Sequence, residues 1–157
     1  MEIERKFLMD GFPALPATCE ATMLQGYLCC APVVRIRSKE TAGQTSYKLC
    51  FKGQGTLVRE EIELPIDADT FRRLCNLLPG ALIRKEWKTY ALEGGLTLEC
   101  SLVDAGTPES FYYAEVEFST VQQARAFVPP SYFGKEVTED PSYSMNQYWR
   151  HTRLQEY

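Results

Sequence analysis

The chain has 157 residues, enough for one domain or at most two small ones, and its 45% hydrophobic content excludes wholesale disorder. Its 17 lysines and arginines stand against 21 aspartates and glutamates, a formal net charge of −4. That balance argues against a general binder of nucleic acid or of an anionic membrane, yet leaves room for a local basic cavity.

The first strand is expected over residues 1–9, where Glu2, Glu4 and Lys6 share one face and Ile3 and Phe7 the other. Pro13 and Pro16 mark the loop behind it. Strands at 23–29 and 32–39 follow, the second setting Arg35 and Arg37 opposite Val34 and Ile36. Ala42-Gly43 turns the chain into a strand at 45–52 with Lys48 and Lys52 on one face. Gly53-Gln54-Gly55 reads as a hairpin turn before a strand at 56–64, which aligns Arg59, Glu61 and Glu63. Asp67 caps a helix presenting Phe71, Leu74, Cys75 and Leu78, stopped by Pro79-Gly80. Strands at 82–92, 96–103 and 111–118 come next, the last carrying Glu115 and Glu117 on one face. Ser119 and Gln122 have capping-box spacing before a second helix that ends at Pro129-Pro130. A strand at 134–137 and a short helix opened by Asp140-Pro141 and running through Trp149 complete the chain.

Many antiparallel strands and few helices indicate an α+β or barrel-like domain spanning residues 1–157. There is an internal echo. Glu61-Ile62-Glu63-Leu64 precedes one helix and a further strand, and Glu115-Val116-Glu117-Phe118 precedes another pair of the same kind, as in a duplicated unit.

Six cysteines lack any C-x-x-C or Cys/His spacing, the N-terminus is charged from its second residue, and no window approaches the ~20 apolar residues of a membrane helix. Reduced thiols in a cytoplasmic protein are therefore expected. The single histidine, His151, reads as an exposed helix-end residue, so chemistry must rest on carboxylates, lysines and arginines. Trp87 and Trp149 read first as core residues, with base stacking the alternative.

Each charged strand face, taken alone, is what a solvated antiparallel strand would show. Together they repeat carboxylate pairs on three strands and cations on several others, which a closed barrel could turn inward. Clustered glutamates are hard oxygen ligands for Mg²⁺ or Mn²⁺, and clustered Arg and Lys neutralise phosphate oxygens. A cavity offering both suits a metal-bound polyphosphate.

Glu2-Ile3-Glu4-Arg5-Lys6 matches the ExExK signature of the CYTH family, the triphosphate tunnel metalloenzymes. Further pieces resemble that family in order: Gln25-Gly26-Tyr27-Leu28, Arg35-Ile36-Arg37, Phe51-Lys52, Arg59-Glu60-Glu61-Ile62-Glu63, Ala114-Glu115-Val116-Glu117-Phe118 and Phe133-Gly134-Lys135-Glu136-Val137-Thr138-Glu139-Asp140. The resemblance implies an eight-stranded antiparallel tunnel with flanking helices that binds a triphosphate with a divalent metal. By position it implies Glu2, Glu4, Glu115 and Glu117 as metal ligands, and Lys6, Arg35, Arg37, Lys52, Arg59 and Lys85 as phosphate ligands. Lys48 shares the parity but is a looser match. Among these, Glu2, Glu4, Lys6 and Lys85 are the expected catalytic residues. Glu61 and Glu63 are left between metal binding and ion pairing, and Glu99 and Asp104 are both candidates for a further acidic position.

Two places depart from the family pattern: Trp87 stands where a cation is usual, two residues after Lys85, and Ser142 lies where a basic residue is expected. The expected activity is hydrolysis of tripolyphosphate to pyrophosphate and phosphate with Mg²⁺ or Mn²⁺. A class IV adenylate cyclase, a thiamine or nucleoside (ATP) triphosphatase, and a non-catalytic polyphosphate-binding module are the alternatives. A homodimer is left open.

Overall fold

A computed structural model describes residues 1–155. Nine strands form one antiparallel sheet: β1 (Glu2–Met9), β2 (Cys19–Cys30), β3 (Val33–Thr41), β4 (Gln44–Lys52), β5 (Val58–Arg59), β6 (Glu61–Ile66), β7 (Ile83–Ala91), β8 (Thr97–Val103) and β9 (Phe111–Glu117). Their order is β5-β1-β9-β8-β7-β2-β3-β4-β6. The two ends of that order, β5 and β6, are separated in the chain only by Glu60, so the sheet curls into a nearly closed barrel. The strand expected at 56–64 is thus two strands. Its first part pairs with β1 (Glu2 opposite Arg59) and its second with β4 (Lys52 opposite Glu61). Splitting one strand across the seam gives nine strands rather than eight.

The expected strand at 134–137 is instead a seam filler with a single bridge, Phe7 to Glu136. It runs along the edge of β1 that β5 leaves uncovered. Gly134 N donates to Leu8 O at 2.9 Å, Leu8 N to Lys135 O at 2.8 Å and Val137 N to Lys6 O at 2.8 Å. Those bonds satisfy β1 backbone groups that would otherwise be buried without partners.

Alternation sends the apolar face of β1 and β7–β9 outward. There Met9, Tyr90, Leu98, Cys100, Ala114, Val116 and Phe118 pack together with Ala124 of α2 (Val121–Ala126). Thr120 caps α2 by accepting from Gln123 N at 3.1 Å, so the cap lies one residue beyond the expected Ser119. Arg5 ties this layer together, donating to Ala124 O at 2.8 Å and Phe127 O at 2.7 Å and pairing with Glu136 at 2.7 Å. α1 (Ala68–Cys75) starts at the expected Asp67 cap and lays Phe71 against Tyr47 of β4, ring centroids 5.0 Å apart.

The C-terminal segment plugs one end of the barrel. It is less regular than expected: a 3₁₀ turn at Pro141–Tyr143, a short α3 (Met145–Trp149) capped by Ser144, and a π-turn at Arg150–Leu154. Met145 and Trp149 bury against Tyr27, Ile83, Val103 and Tyr113. The Trp149 indole donates to Ala81 O at 2.7 Å. No helix among the described residues is long and apolar enough to cross a membrane.

Candidate active site and metal centre

The inward faces enclose a cavity of about 960 Å³. A barrel interior receives every second residue of each strand, so the charged faces read from the sequence converge there. Glu2, Glu4 and Lys6 reach it from β1, Arg35 and Arg37 from β3, and Lys48 and Lys52 from β4. Arg59, Glu61, Glu63, Lys85, Glu99, Glu115 and Glu117 line it as well, and Lys39 and Asp140 complete the charged lining. Asp104 does not line it. Its carboxylate accepts from Arg153 at 2.6 and 2.9 Å, from the Tyr148 hydroxyl at 2.5 Å and from Arg84 N at 3.1 Å, anchoring the C-terminal plug.

The acidic pole forms where β1 meets β9, in the register Glu4 opposite Glu117 and Lys6 opposite Glu115. Glu2, Glu4 and Glu117 each offer a carboxylate oxygen within 4.8 Å of the others. Burial and the neighbouring Glu115 push the Glu4 carboxyl well above the usual range, and burial followed by the charge of Glu2 raises Glu117. Glu2 is raised too, by burial and its hydrogen bond with Glu61, against the pull of Lys52. Burial also opposes ionisation of Glu115, but the hydrogen bond from Glu4 and the ammonium groups of Lys6 and Lys85 outweigh it and hold Glu115 low. Burial, then Glu115 and Glu117, raise Glu99 to about 7. Several acids crowded this closely are costly to ionise together, and a divalent cation among them would remove that cost. An all-oxygen donor set fits a hard ion such as Mg²⁺ or Mn²⁺.

The cations fall into two groups. Lys52 bonds Glu2 at 3.1 Å and Glu61 at 3.3 Å, and Arg59 lies 3.5 Å from Glu2. Glu63 is 3.9 Å from both Arg35 and Lys48. Glu61 and Glu63 therefore sit among cations, with the buried Cys50 thiol within 4.8 Å of both. The second group ends on neutral acceptors. Arg37 donates to Gln25 Oε1 at 2.9 and 3.1 Å, and Lys85 to the Tyr113 hydroxyl at 2.8 Å. Lys6 donates to Tyr143 O at 2.6 Å and stands 4.4 Å from the centroid of the Tyr113 ring. Arg35 Nε is buried without a partner. Burial, with Arg37 next, drives the Lys85 ammonium well below its ordinary value. A wall of cations answered by neutral atoms is a wall that a polyanion completes.

Three groups in this wall have no site role assigned from the sequence, although Gln25 lies in one of the family-like pieces. Gln25 lies opposite Arg37 in register, so strand parity carries its signal. Tyr113 likewise shares the face of Glu115 two residues on. The Tyr143 carbonyl has no sequence signal, because any residue supplies a carbonyl.

No family model matches the chain. An inorganic triphosphatase of Nitrosomonas europaea is 37% identical over 147 residues, covering 90% of this chain and 92% of that protein. A crystal structure of an inorganic triphosphatase matches with a TM-score of 0.66 at 30% identity, over 94% of this chain and 93% of its own. A Pyrococcus horikoshii protein shares the fold at a TM-score of 0.57 and 19% identity, over 83% of this chain and 80% of its own.

Proposed function

Since the chain belongs to the inorganic triphosphatase family, we propose that it hydrolyses tripolyphosphate to pyrophosphate and phosphate inside its barrel. The CYTH-type signatures at Glu2–Lys6 and Arg35–Arg37 support the same reading. The observation that carries it is the sorting of charge within one cavity, three glutamates clustered at one pole and a wall of cations facing neutral acceptors.

Glu2, Glu4 and Glu117, with Glu115 beside them, would hold Mg²⁺ or Mn²⁺. Such an ion, when bound, supplies Lewis-acid stabilisation of phosphate oxygens and acidifies a coordinated water. The chain's own residues do the rest. Arg37, Lys85 and Lys6 exchange their neutral acceptors for phosphate oxygens and the unpartnered Arg35 Nε gains one, which fixes the polyphosphate for in-line attack. Lys52 and Arg59 hold Glu2 in place and add positive field at the acidic pole. As water bonds to phosphorus and the bridging P–O bond breaks, the departing phosphate keeps the electron pair and the water protons end on phosphate oxygens of the products. The surrounding ammonium and guanidinium groups stabilise that growing charge in a site shielded from bulk water.

The test is an assay of the purified protein with Mg²⁺ or Mn²⁺ on tripolyphosphate, ATP and thiamine triphosphate, following phosphate and cyclic AMP. Phosphate release from tripolyphosphate is expected, abolished by chelation. It should fall ~100-fold or more in Glu4→Gln while circular dichroism stays native. Cyclic AMP formation from ATP, or tight tripolyphosphate binding without turnover, would overturn the proposal.

A further inference from the structure

Past Arg35 and Arg37, the inward row of β3 continues to Lys39, which lines the same cavity. Its Nζ lies 4.1 Å from the centroid of the Trp87 ring. Lys39 and Trp87 belong to strands that do not pair with each other. β2 runs between them, with Met23 opposite Lys39 and Ala21 opposite Trp87. The ammonium is therefore held over the indole across an intervening strand, by the attraction of a cation for the face of an aromatic ring. Among the described residues Lys39 has no ion-pair partner. It is a positioned charge without a counter-ion.

Exposure grades along this row. Arg35, Lys52 and Lys85 are buried, Lys39 is half-buried, and on β4 the neighbouring Lys48 and Ser46 are exposed. The cations thus lead from the acidic pole toward solvent. At ~3.3 Å per strand residue, the backbone run from Arg35 to Lys39 is ~13 Å. A tripolyphosphate, three phosphorus atoms joined through two bridging oxygens, is shorter than that run. The buried cations suffice to hold it, and Lys39 lies beyond.

We propose that Lys39, stacked on Trp87, forms an outer subsite for the fourth phosphate of a linear inorganic polyphosphate, with Ser46 and Lys48 beside it on β4. This deepens the reading of the cavity as a triphosphatase site and rests on it. The Trp87 face under Lys39 carries an ammonium, so what it offers a ligand is positive charge rather than an aromatic surface. The outer subsite favours a further phosphate over a nucleoside. Cleavage of such a chain needs only water: a P–O bond forms to the water oxygen, one bridging P–O bond breaks with its electron pair staying on the leaving phosphate, the water protons pass to phosphate oxygens, and two shorter phosphates leave.

The experiment compares tripolyphosphate with inorganic tetraphosphate on wild type, Lys39→Met and Trp87→Phe. Lys39→Met keeps the apolar stem and removes the charge. It is expected to lower the ratio of kcat/KM for tetraphosphate to that for tripolyphosphate ~10-fold or more, while Trp87→Phe keeps an aromatic support and retains most of that ratio. Trp149 is fully buried in the plug, so Trp87 is the tryptophan that lines the cavity and its fluorescence reports the outer subsite. Tetraphosphate should change it more than tripolyphosphate does. An unchanged ratio in Lys39→Met overturns the proposal, and so does an equal loss on both substrates, which would assign Lys39 to the triphosphate clamp. If wild type cleaves neither phosphate, the triphosphatase reading fails on its own. Calorimetric binding of the two phosphates to wild type and Lys39→Met then still decides the subsite, a tetraphosphate preference lost in the variant supporting it and an unaltered preference refuting it.

Discussion

Lys85 is 2% exposed, with a single hydrogen bond to a phenol and its proton disfavoured by burial. A bound phosphate would favour that proton, so this lysine gains from the substrate more than an exposed one would. Lys85→Met is expected to lower kcat/KM for tripolyphosphate ~100-fold, with thermal stability near native because the burial cost it relieves offsets the lost attraction to Glu115. Steady-state kinetics beside a melting curve checks both. Asp104 illustrates what single residues hide. Glu99 and Asp104 were indistinguishable as acidic candidates, yet only Glu99 faces the cavity, because Asp104 adopts a left-handed φ of 47° just beyond β8 and leaves the strand's alternation. Burial works against its ionisation, but hydrogen bonds from Arg153, Tyr148 and the Arg84 amide outweigh it and hold its carboxyl below the usual value. The sign follows from linkage. Asp104's contribution is full above pH ~4, the unfolded value, and is lost as pH falls through the lower folded value. Asp104→Asn should cost ~2 kcal/mol at neutral pH and flatten the acid limb of stability below pH ~4, measured by denaturant unfolding across pH.

The strands were legible as elements because their period of two is strong, and α1 because Asp67 and Pro79-Gly80 bracket it. The reading failed where an element's state depends on a distant partner. Residues 134–137 alternate like a strand, but only β1 is available to pair with them, and just beyond them the chain turns toward the plug. The strand at 56–64 breaks because it must serve β1 on one side of the seam and β4 on the other. Gly134 shows how tight the seam is. A Cβ there would sit 2.3 Å from Leu8 O, a contact with backbone that no rotamer relieves. Gly134→Ala is expected to destabilise the fold by ~1–3 kcal/mol, read from the shift of the urea midpoint. Because β1 also carries Glu2, Glu4 and Lys6, activity should fall further than stability alone explains.

At the scale of the whole molecule, the barrel separates charge from apolar surface, with ionic groups inside and the hydrophobic core between barrel and helices. That inversion makes solvent access uneven among the six cysteines. Cys29 is exposed, whereas Cys50 and Cys100 are about 1% exposed or less, and burial pushes the Cys100 thiol up to about 12. Thiol titration of the native protein should label Cys29 within minutes and spare Cys50 and Cys100 until denaturant is added. Rapid native labelling of Cys100 would contradict the packed outer layer.

The sequence by itself determined which residues share a strand face, since alternation is a local property of extended backbone, and that is why nearly all of the candidate site was visible in it. It also determined the chemistry available, carboxylates, lysines and arginines without a usable histidine. Only the tertiary structure decided that those faces point inward. Inside and outside are set by closure, and closure depends on pairings such as Lys6 with Glu115 and Glu2 with Arg59, made across long stretches of chain. The same closure chose the partners: Glu61 and Glu63 lie among cations, Asp104 turns to the plug, and Lys39 rests on Trp87. These are distances between strands remote in sequence, and no local pattern encodes them.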